Sequence, residues 1–273
     1  MKYALFPVLG KERELPLFNV SIGVNEYQYH VVRPEGYWYD QFIYSAHGTG
    51  MLIVDGKSTK ITPNTVFFLP RNTPHEYYSL TADWDTRWLT PAGFALDTLL
   101  AQLGFHGVTL MTVRDISTLD AILERMRGLL FSNRVSGNYY ASAYVYEFIM
   151  ELHRLTHESS QKTNTSSSTR LLPIIEYIDL HFADTITLED LSAIIQVTPQ
   201  HLCRLFRDNL GMRPLEYISQ KRVRAAQDYL ASSELSIAEI ATHCGYDNMN
   251  YFYRMFRKYT GITPGAYRTS LHR

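Results

Sequence analysis

Amide, guanidinium and ammonium groups recur along one short stretch near the C-terminal end of the chain. Most of them fall on the outer face of one predicted helix, and they are Asn248, Asn250, Tyr251, Arg254, Arg257 and Lys258. Such groups can hydrogen-bond the edges of bases and hold phosphates, since arginine suits guanine and asparagine suits adenine. Arg254 is expected to read a base, whereas Arg257 and Lys258 are expected to hold phosphate. The alternative is the solvated face of an ordinary amphipathic hairpin.

A helix, a sharp turn and a second helix must position these groups. Ser236 can cap the first helix with Glu239 as its reciprocal partner, and Asp247 is expected to cap the second. Gly245 stands where a tight bend needs a residue that tolerates positive φ. Gly261 is expected to end the second helix. The inward face of that helix is predicted to consist of Phe252, Met255, Phe256 and Tyr259.

The same hairpin pattern occurs a second time upstream. Thr187 and Asp190 occupy the positions of the cap pair, and Thr198 precedes a proline at a first helical position. After the turn, the offset between the copies grows from 49 to 50 residues, so the second turn is longer by one. A predicted helix from Pro214 to Ala231, roughly 27 Å long, could hold the hairpins about one DNA turn apart. The predicted DNA contacts of this upstream hairpin are Gln200, His201, Arg204 and Arg207.

The tandem hairpins and the ending IAEIATHCGY with NYFYRMFRKYTGITPGAYR resemble the AraC/XylS family of bacterial transcription regulators. The resemblance covers about residues 171–268. It implies an all-α domain that binds double-stranded DNA at promoter half-sites, where a regulator can touch RNA polymerase. One departure is the DNMN sequence at 247–250, so the base preference of the second recognition helix cannot be copied from relatives.

Charge is distributed unevenly along the 273 residues, which suffice for two domains. Residues 200–273 hold 11 Lys and Arg against 6 Asp and Glu, so this part carries +5 and the rest −6 of the net −1. Basic residues therefore concentrate where DNA is expected.

No apolar run could span a bilayer and no signal peptide is recognisable, which favours a cytoplasmic protein with no membrane partner. Cys203 and Cys244 form no CxxC pair, so a zinc site or disulfide is not expected.

Short predicted strands with turn residues between them fill residues 37–89, which is typical of a small barrel or jelly roll. A further strand is expected at Asn19–Asn25, continuing to Tyr27 and Tyr29, after a loose N-terminal arm. The pattern GTGMLIVDGKSTKITPNTVFFLPRNTPHEYY resembles the cupin effector domain of AraC-type regulators. Helical periodicity over residues 116–130 and 140–155 predicts two antiparallel helices that cover one mouth of the barrel. By resemblance they also form a homodimer interface.

The polar stretch HESSQKTNTSSST predicts a flexible linker. The predicted fold class is therefore α+β with two domains. The first is a cupin-like β-barrel with two helices, and the second is an all-α domain with two helix-turn-helix motifs joined by a long helix. The predicted boundaries are residues 1–157 for the effector-binding and dimerisation domain, 158–169 for the linker and 170–273 for the DNA-binding domain.

Aromatic and hydrogen-bonding residues are dense in the predicted barrel, as a sugar site requires. The resemblance to the arabinose-responsive type of regulator implies that Trp88 stacks on a pyranose and that Arg33, His75 and Tyr77 bond its oxygens. Tyr27 and Tyr29 are further ligand-binding candidates from the same segment. Metal-binding cupins carry an HxH pair, which is missing here, so no metal, cofactor or catalytic residue is expected.

The sequence thus predicts a regulator, rather than an enzyme, that activates carbohydrate-utilisation genes in response to a small sugar. One alternative is a ligand-independent regulator of the same family whose barrel is only a dimerisation scaffold. Another is a cupin metalloenzyme, for example a sugar isomerase, fused to DNA-binding hairpins. A purely structural role would leave two capped hairpins with basic outer faces unexplained.

Overall fold

The computed structural model describes the backbone of residues 2–160 and 165–271 and the side chains of residues 2–157 and 170–270. The chain divides into two compact units, residues 1–162 and 163–273. The strands of the first unit are β1 (Tyr3–Leu5), β2 (Phe18–Asn25), β3 (Val31–Arg33), β4 (Gln41–His47), β5 (Gly50–Val54), β6 (Lys57–Ile61), β7 (Thr65–Leu69), β8 (His75–Ser79), β9 (Asp85–Ala92) and β10 (Thr109–Thr112).

Two antiparallel sheets share the core of the first unit. One sheet has the order β1-β2-β9-β4-β7-β10 and the other the order β3-β8-β5-β6. Alternate residues of each strand point to opposite faces. Ile43 and Phe67 of the larger sheet therefore join Leu52 and Tyr77 of the smaller one in the apolar layer between the sheets.

Three helices cover the outer face of the larger sheet, and they are α1 (Leu96–Gln102), α2 (Ser117–Ser132) and α3 (Gly137–Ser160). Phe42 and Phe68 on that face form one core with Leu119 of α2 and Phe148 of α3. The expectation that the two long helices close a mouth of the barrel is therefore wrong. The larger sheet is apolar on both faces, and its outer face must be covered along its length.

Several short elements differ from the sequence-based expectation. The N-terminal arm is not loose, because β1 pairs with β2 and a 3₁₀ helix follows at Lys11–Glu14. Strand β2 ends at Asn25, so Tyr27 and Tyr29 do not continue it. The strands β3 and β10 and the helix α1 were not predicted, since each is short and carries little periodic signal.

The second unit is helical, and its helices are α4 (Thr165–His181), α5 (Leu188–Ile194), α6 (Pro199–Leu210), α7 (Pro214–Ser232), α8 (Ile237–His243), α9 (Met249–Thr260) and α10 (Pro264–Leu271). The predicted connecting helix matches α7 to within one residue. Each helical hairpin has an apolar core of its own, one built around Leu202 and Phe206 and the other around Phe252 and Phe256. The two-domain α+β class is thus confirmed.

The predicted linker lies only partly within the described residues. Residues 158–160 end α3 and residues 165–169 begin α4, whereas residues 161–164 are outside the described part. Flexibility of this stretch stays a prediction. In the described part of the chain, no helix is long and apolar enough to cross a membrane.

Candidate nucleic-acid interface and effector cavity

Local capping interactions build the first hairpin as predicted. Thr187 and Asp190 form a reciprocal capping box at the start of α5, which satisfies backbone N–H groups that the helix leaves free. Thr198 caps α6 by accepting a hydrogen bond from the backbone N–H of His201. Between these helices Gln196 adopts a φ of 55°, which is an uncommon conformation for a residue other than glycine.

The second hairpin repeats this construction with a different turn. Ser236 and Glu239 form the predicted capping box, and Gly245 has a φ of 75°. The prediction that Asp247 caps α9 is wrong, because Asn248 is the residue with extended backbone directly before the first helical turn. The side-chain oxygen of Asn248 accepts a hydrogen bond from the backbone N–H of Tyr251 at 3.0 Å. Asn248, predicted to read a base, thus also holds the end of its helix.

The predicted DNA contacts share the outer faces of α6 and α9. Nine of the ten are exposed, and His201 is half-buried. The Nη2 atom of Arg204 lies 3.0 Å from the imidazole Nδ1 of His201, and the guanidinium of Arg254 lies 5.1 Å from the centre of the Tyr251 ring. The side chain of each arginine is therefore oriented by a contact with the residue three positions before it.

The arginines of these faces have no carboxylate partner among the side chains that the structure describes, and they are Arg204, Arg207, Arg254 and Arg257. Lys258 instead approaches Glu216 of α7 at 3.5 Å. Guanidinium groups without a protein counter-ion are available to phosphates or to guanine edges.

Tyr253 is a surface residue that the sequence analysis did not select. It is 37% exposed and lines a shallow concavity with Arg254, Arg257, Lys258 and Thr263. Tyr253 lies four residues before Arg257, and this spacing places both side chains on one helical face. The spacing is a signal in the sequence that could have identified it.

A cavity with a mainly polar lining lies between the two sheets of the first unit. Four of the predicted ligand contacts line it, and they are Tyr29, Arg33, Tyr77 and Trp88. The other lining residues were not predicted, and they are Phe6, Ser21, Asn25, Gln28, Tyr37, Gln41, Ile43 and Thr86. Most of these are polar and come from strands far apart in the sequence, so no local motif marks them.

Trp88 and Arg33 are both fixed by their neighbours in the cavity. The indole N–H of Trp88 donates to the hydroxyl of Ser21 at 3.3 Å. Its ring lies against Gly23, where any Cβ atom would overlap it. The guanidinium of Arg33 lies 4.3 Å from the centre of the Tyr37 ring and donates to the side-chain carbonyl of Gln41. The cavity thus offers an aromatic ring and a cation together.

Two predicted ligand residues, Tyr27 and His75, do not line the cavity. Tyr27 is 68% exposed, whereas His75 is buried and stacks on Tyr77 with 5.9 Å between ring centres. Burial lowers the pKa of His75, an effect that its hydrogen bond to the Thr73 carbonyl opposes. Its Nδ1 donates to that carbonyl at 2.7 Å. The neutral ring then has an acceptor at Nε2, which has no partner among the described residues.

The Tyr77 hydroxyl that lines the cavity stays protonated at physiological pH. Burial raises the pKa of the Tyr77 hydroxyl to about 12, so this group is a neutral hydrogen-bonding group at physiological pH. Among the described residues, no three or more His, Cys, Asp or Glu side chains are grouped so that they could hold a metal ion.

Both parts of the chain match known protein families. The AraC-like ligand binding domain family matches residues 18–149, and a helix-turn-helix domain family matches residues 191–270. The lactose operon transcription activator of Staphylococcus xylosus is 24% identical over 81% of this chain and 80% of its own length. The HTH-type transcriptional activator RhaS of Escherichia coli O157:H7 is 25% identical over 83% of this chain and 84% of its own.

Some other similarities cover only about a third of the chain. The bifunctional transcriptional activator/DNA repair enzyme AdaA of Bacillus subtilis is 42% identical, but over only 35% of this chain and 45% of that protein. The chain spans less than half the length of the first curated relatives it matches. Among solved structures, the DNA-binding domain of AdpA in complex with a target DNA is 29% identical and covers 37% of this chain and 90% of that chain, with a TM-score of 0.36.

Two capped hairpins with basic outer faces, in a chain that also encloses a polar cavity between two sheets, are typical of a DNA-binding regulator with a separate ligand-binding domain. The chain belongs to the AraC family of transcription regulators, with an AraC-like ligand binding domain followed by a helix-turn-helix domain.

Proposed function

We propose that the chain activates carbohydrate-utilisation genes by binding double-stranded DNA under the control of a small carbohydrate held between the two sheets. The observation that carries the proposal is that Trp88 and Arg33 line one cavity. An indole ring suits the C–H face of a pyranose, while a guanidinium and neighbouring amides suit its oxygens.

Two relatives that align over most of the chain support the activator role. Both are transcription activators by name, and one acts on a lactose operon. The basic outer faces of α6 and α9 supply the DNA contacts. RNA polymerase beside the promoter is the proposed protein partner, and a homodimer would place two DNA-binding units on repeated half-sites. The exposed Tyr146 and Met150 of α3 support a dimer contact on that helix.

The size of the cavity indicates how a ligand could control the protein. It encloses about 60 Å³, which is room for a few water molecules, so a pyranose requires side chains at its edge to move. Phe6 is 62% exposed and Tyr29 is 60% exposed, and both can shift without unpacking the core. Empty and occupied forms would then differ in the N-terminal segment. Such a difference gives the sugar unequal affinity for the two forms, as control requires.

The first test is a thermal-shift and calorimetry panel of pentoses, hexoses, their phosphates and short plant oligosaccharides. A ligand at about 100 times its Kd adds roughly 2.7 kcal/mol to the folded state. We expect a binding sugar whose effect is lost in Trp88→Ala and Arg33→Ala. Trp38→Ala is the matched control, because Trp38 is 82% exposed and does not line the cavity. The same sugar should change affinity for promoter DNA.

The ligand-independent scaffold is a second candidate function that one observation favours. The cavity is small, and its polar groups partly satisfy one another, since Asn25 and Thr86 both donate to Gln28. The sugar proposal fails if no compound of the panel binds while the first unit is folded and DNA binding is intact. That result would support the ligand-independent scaffold.

A further inference from the structure

Among the side chains that the structure describes, the two hairpins of the DNA-binding unit have separate hydrophobic cores. Ile218 of α7 belongs to the core of the first hairpin, and Val223 belongs to the core of the second. The helix α7 therefore passes from one core to the other within about one turn. The relative position of the hairpins must then depend on α7 itself and on the polar contacts at this crossing.

Arg222 lies at the crossing and binds both the segment that leads into the first hairpin and the turn of the second hairpin. Its Nε donates to the carbonyl of Phe182 at 2.6 Å and its Nη2 to the carbonyl of Asp184 at 2.7 Å. Its Nη1 donates to the carbonyl of Gly245 at 2.6 Å. The first two carbonyls precede the first hairpin, and Gly245 is in the turn of the second. The guanidinium also lies 5.6 Å from the centre of the Tyr246 ring.

The positions of these carbonyls explain why a cation is suited to them. Phe182 directly follows the end of α4, and Gly245 follows the C-cap of α8. Carbonyls at helix C-termini lack intrahelical partners and carry partial negative charge. A planar guanidinium presents five N–H groups in fixed directions, so one side chain can satisfy three carbonyls from different segments. A lysine ammonium lacks that fixed geometry.

The two segments that Arg222 bridges also touch directly. A Cβ atom at Gly245 would overlap the backbone carbonyl of Ala183. The chain therefore approaches itself here at backbone distance, and the approach requires glycine. Backbone packing and the Arg222 hydrogen bonds together leave little freedom for one hairpin to pivot against the other.

We propose that Arg222 sets the separation of α6 and α9, and so restricts the chain to DNA in which two recognition boxes have one fixed spacing. Arg222 is a positioning residue, since it acts through the two recognition helices. The inference rests on the proposed function, in which both hairpins bind DNA. It adds that spacing between the boxes is a property of the protein, controlled by a side chain remote from both reading faces.

The test uses a duplex that the wild-type full-length protein selects from a random pool. Three derivatives are made from it: one with a single box scrambled, and two with insertions of about half and one full DNA turn between the boxes, roughly 5 and 10 base pairs. The wild type should lose roughly tenfold or more in affinity on scrambling and on either insertion, because the second helix no longer adds to the binding of the first.

In Arg222→Met, affinity for the intact duplex should fall to within about threefold of that for the single-box duplex, and dependence on spacing should disappear. Affinity for the single-box duplex should change by less than about threefold. Arg224→Met is the matched control, since Arg224 lies two residues along α7, is exposed and has the same charge. That variant should keep the spacing dependence of the wild type.

Arg222→Lys separates positioning from charge, and it also serves if the Met variant does not fold. It keeps the cation, so full recovery of the spacing dependence would overturn the proposal in favour of simple electrostatics. Retention of spacing dependence by a folded Arg222→Met, or equal losses on one-box and two-box DNA, would overturn it too. If the wild type itself binds one-box and two-box DNA equally, the proposed use of both hairpins fails, which is a different result.

Discussion

The two hairpins of the DNA-binding unit share one construction and differ in their turns and outer faces. In both, a capping box starts the first helix and a glycine in the left-handed conformation ends the second, at Gly211 and Gly261. The first turn uses Gln196 for its positive φ, and the second uses Gly245. Positive φ is thus a requirement of the bend. Only Gly245 must also admit a neighbouring backbone, that of Ala183.

The outer faces of the two helices hold equivalent arginines in place through different contacts. Arg204 and Arg254 occupy equivalent positions, 50 residues apart. Arg204 donates a hydrogen bond to His201, whereas the guanidinium of Arg254 packs against the ring of Tyr251. The same offset places Asp208 opposite Lys258, so the second helix is the more basic of the two. The two hairpins therefore share their scaffold and differ in the side chains of their outer faces.

The largest expected effect separates the two turns. Gly245→Ala should destabilise the helical unit by about 2–4 kcal/mol, because it adds both backbone strain and overlap with Ala183. Gln196→Gly should change stability by less than about 1 kcal/mol, since relief of strain is offset by added chain entropy.

Urea unfolding followed by circular dichroism at the helix band measures this difference. The chain's three tryptophans, Trp38, Trp84 and Trp88, all lie in the first unit. Tryptophan fluorescence therefore provides an internal control that neither substitution should move. Equal losses from the two substitutions would show that the turns have the same steric requirement.

Replacement of either of the two equivalent arginines should reduce the selectivity of the protein at one base position. Arg254→Ala and Arg204→Ala are expected to cost about 1–3 kcal/mol at the cognate site and to relax selectivity at one position, in different boxes. Binding to a library of single-base variants of the selected duplex measures this. A loss of similar size on every sequence would make the arginine concerned a phosphate contact.

The helix caps should differ by a smaller amount. Asn248→Ala removes the cap of α9 and should cost about 0.5–2 kcal/mol. Thr198→Ala should cost less, because Pro199 already fixes the backbone at the first position of α6. Thermal unfolding of the helical unit tests the ranking.

Asn248→Ser separates the two roles of this residue, since serine keeps the cap but loses the amide. Stability is expected to be retained in this variant. Reduced selectivity at an adenine with unchanged stability would establish that Asn248 also reads DNA. Unchanged binding would leave it as a cap alone.

The smallest effect concerns the charge difference between the faces. Lys258→Ala should weaken binding to all sequences and reduce the slope of log affinity against log salt by about one. Asp208→Ala should strengthen binding slightly on all sequences. Filter binding at several salt concentrations measures both, and an unchanged slope for Lys258→Ala would place this side chain away from phosphate.

Local signals made the helical unit predictable from the sequence. Caps, a proline at a first helical position and glycines after helix ends act within one turn of chain, so they locate α6, α7 and α9 to within a residue or two. The N-terminal cap of α9 is the exception. Asp247 and Asn248 can both cap a helix, and the choice depends on where helical geometry begins, which composition does not encode.

The first unit was less predictable because its structure depends on distant pairings. Strand β3 has three residues and exists through its pairing with β8, in which Arg33 lies opposite His75. Gln28 and Gln41 reach the cavity only because the sheets bring them together. The expectation for Trp88 came from family resemblance, and local sequence carries no independent signal for the residues around it.

Gly23 makes the cavity vulnerable to mutation in a specific way. Every single-nucleotide change that replaces this glycine with another amino acid introduces a Cβ atom, and that atom would collide with the Trp88 ring. No conservative replacement is therefore within reach of one mutational step. Every amino-acid change at position 23, which requires a change at the first or second base of the codon, should therefore disturb the cavity, while the DNA-binding unit would remain chemically intact.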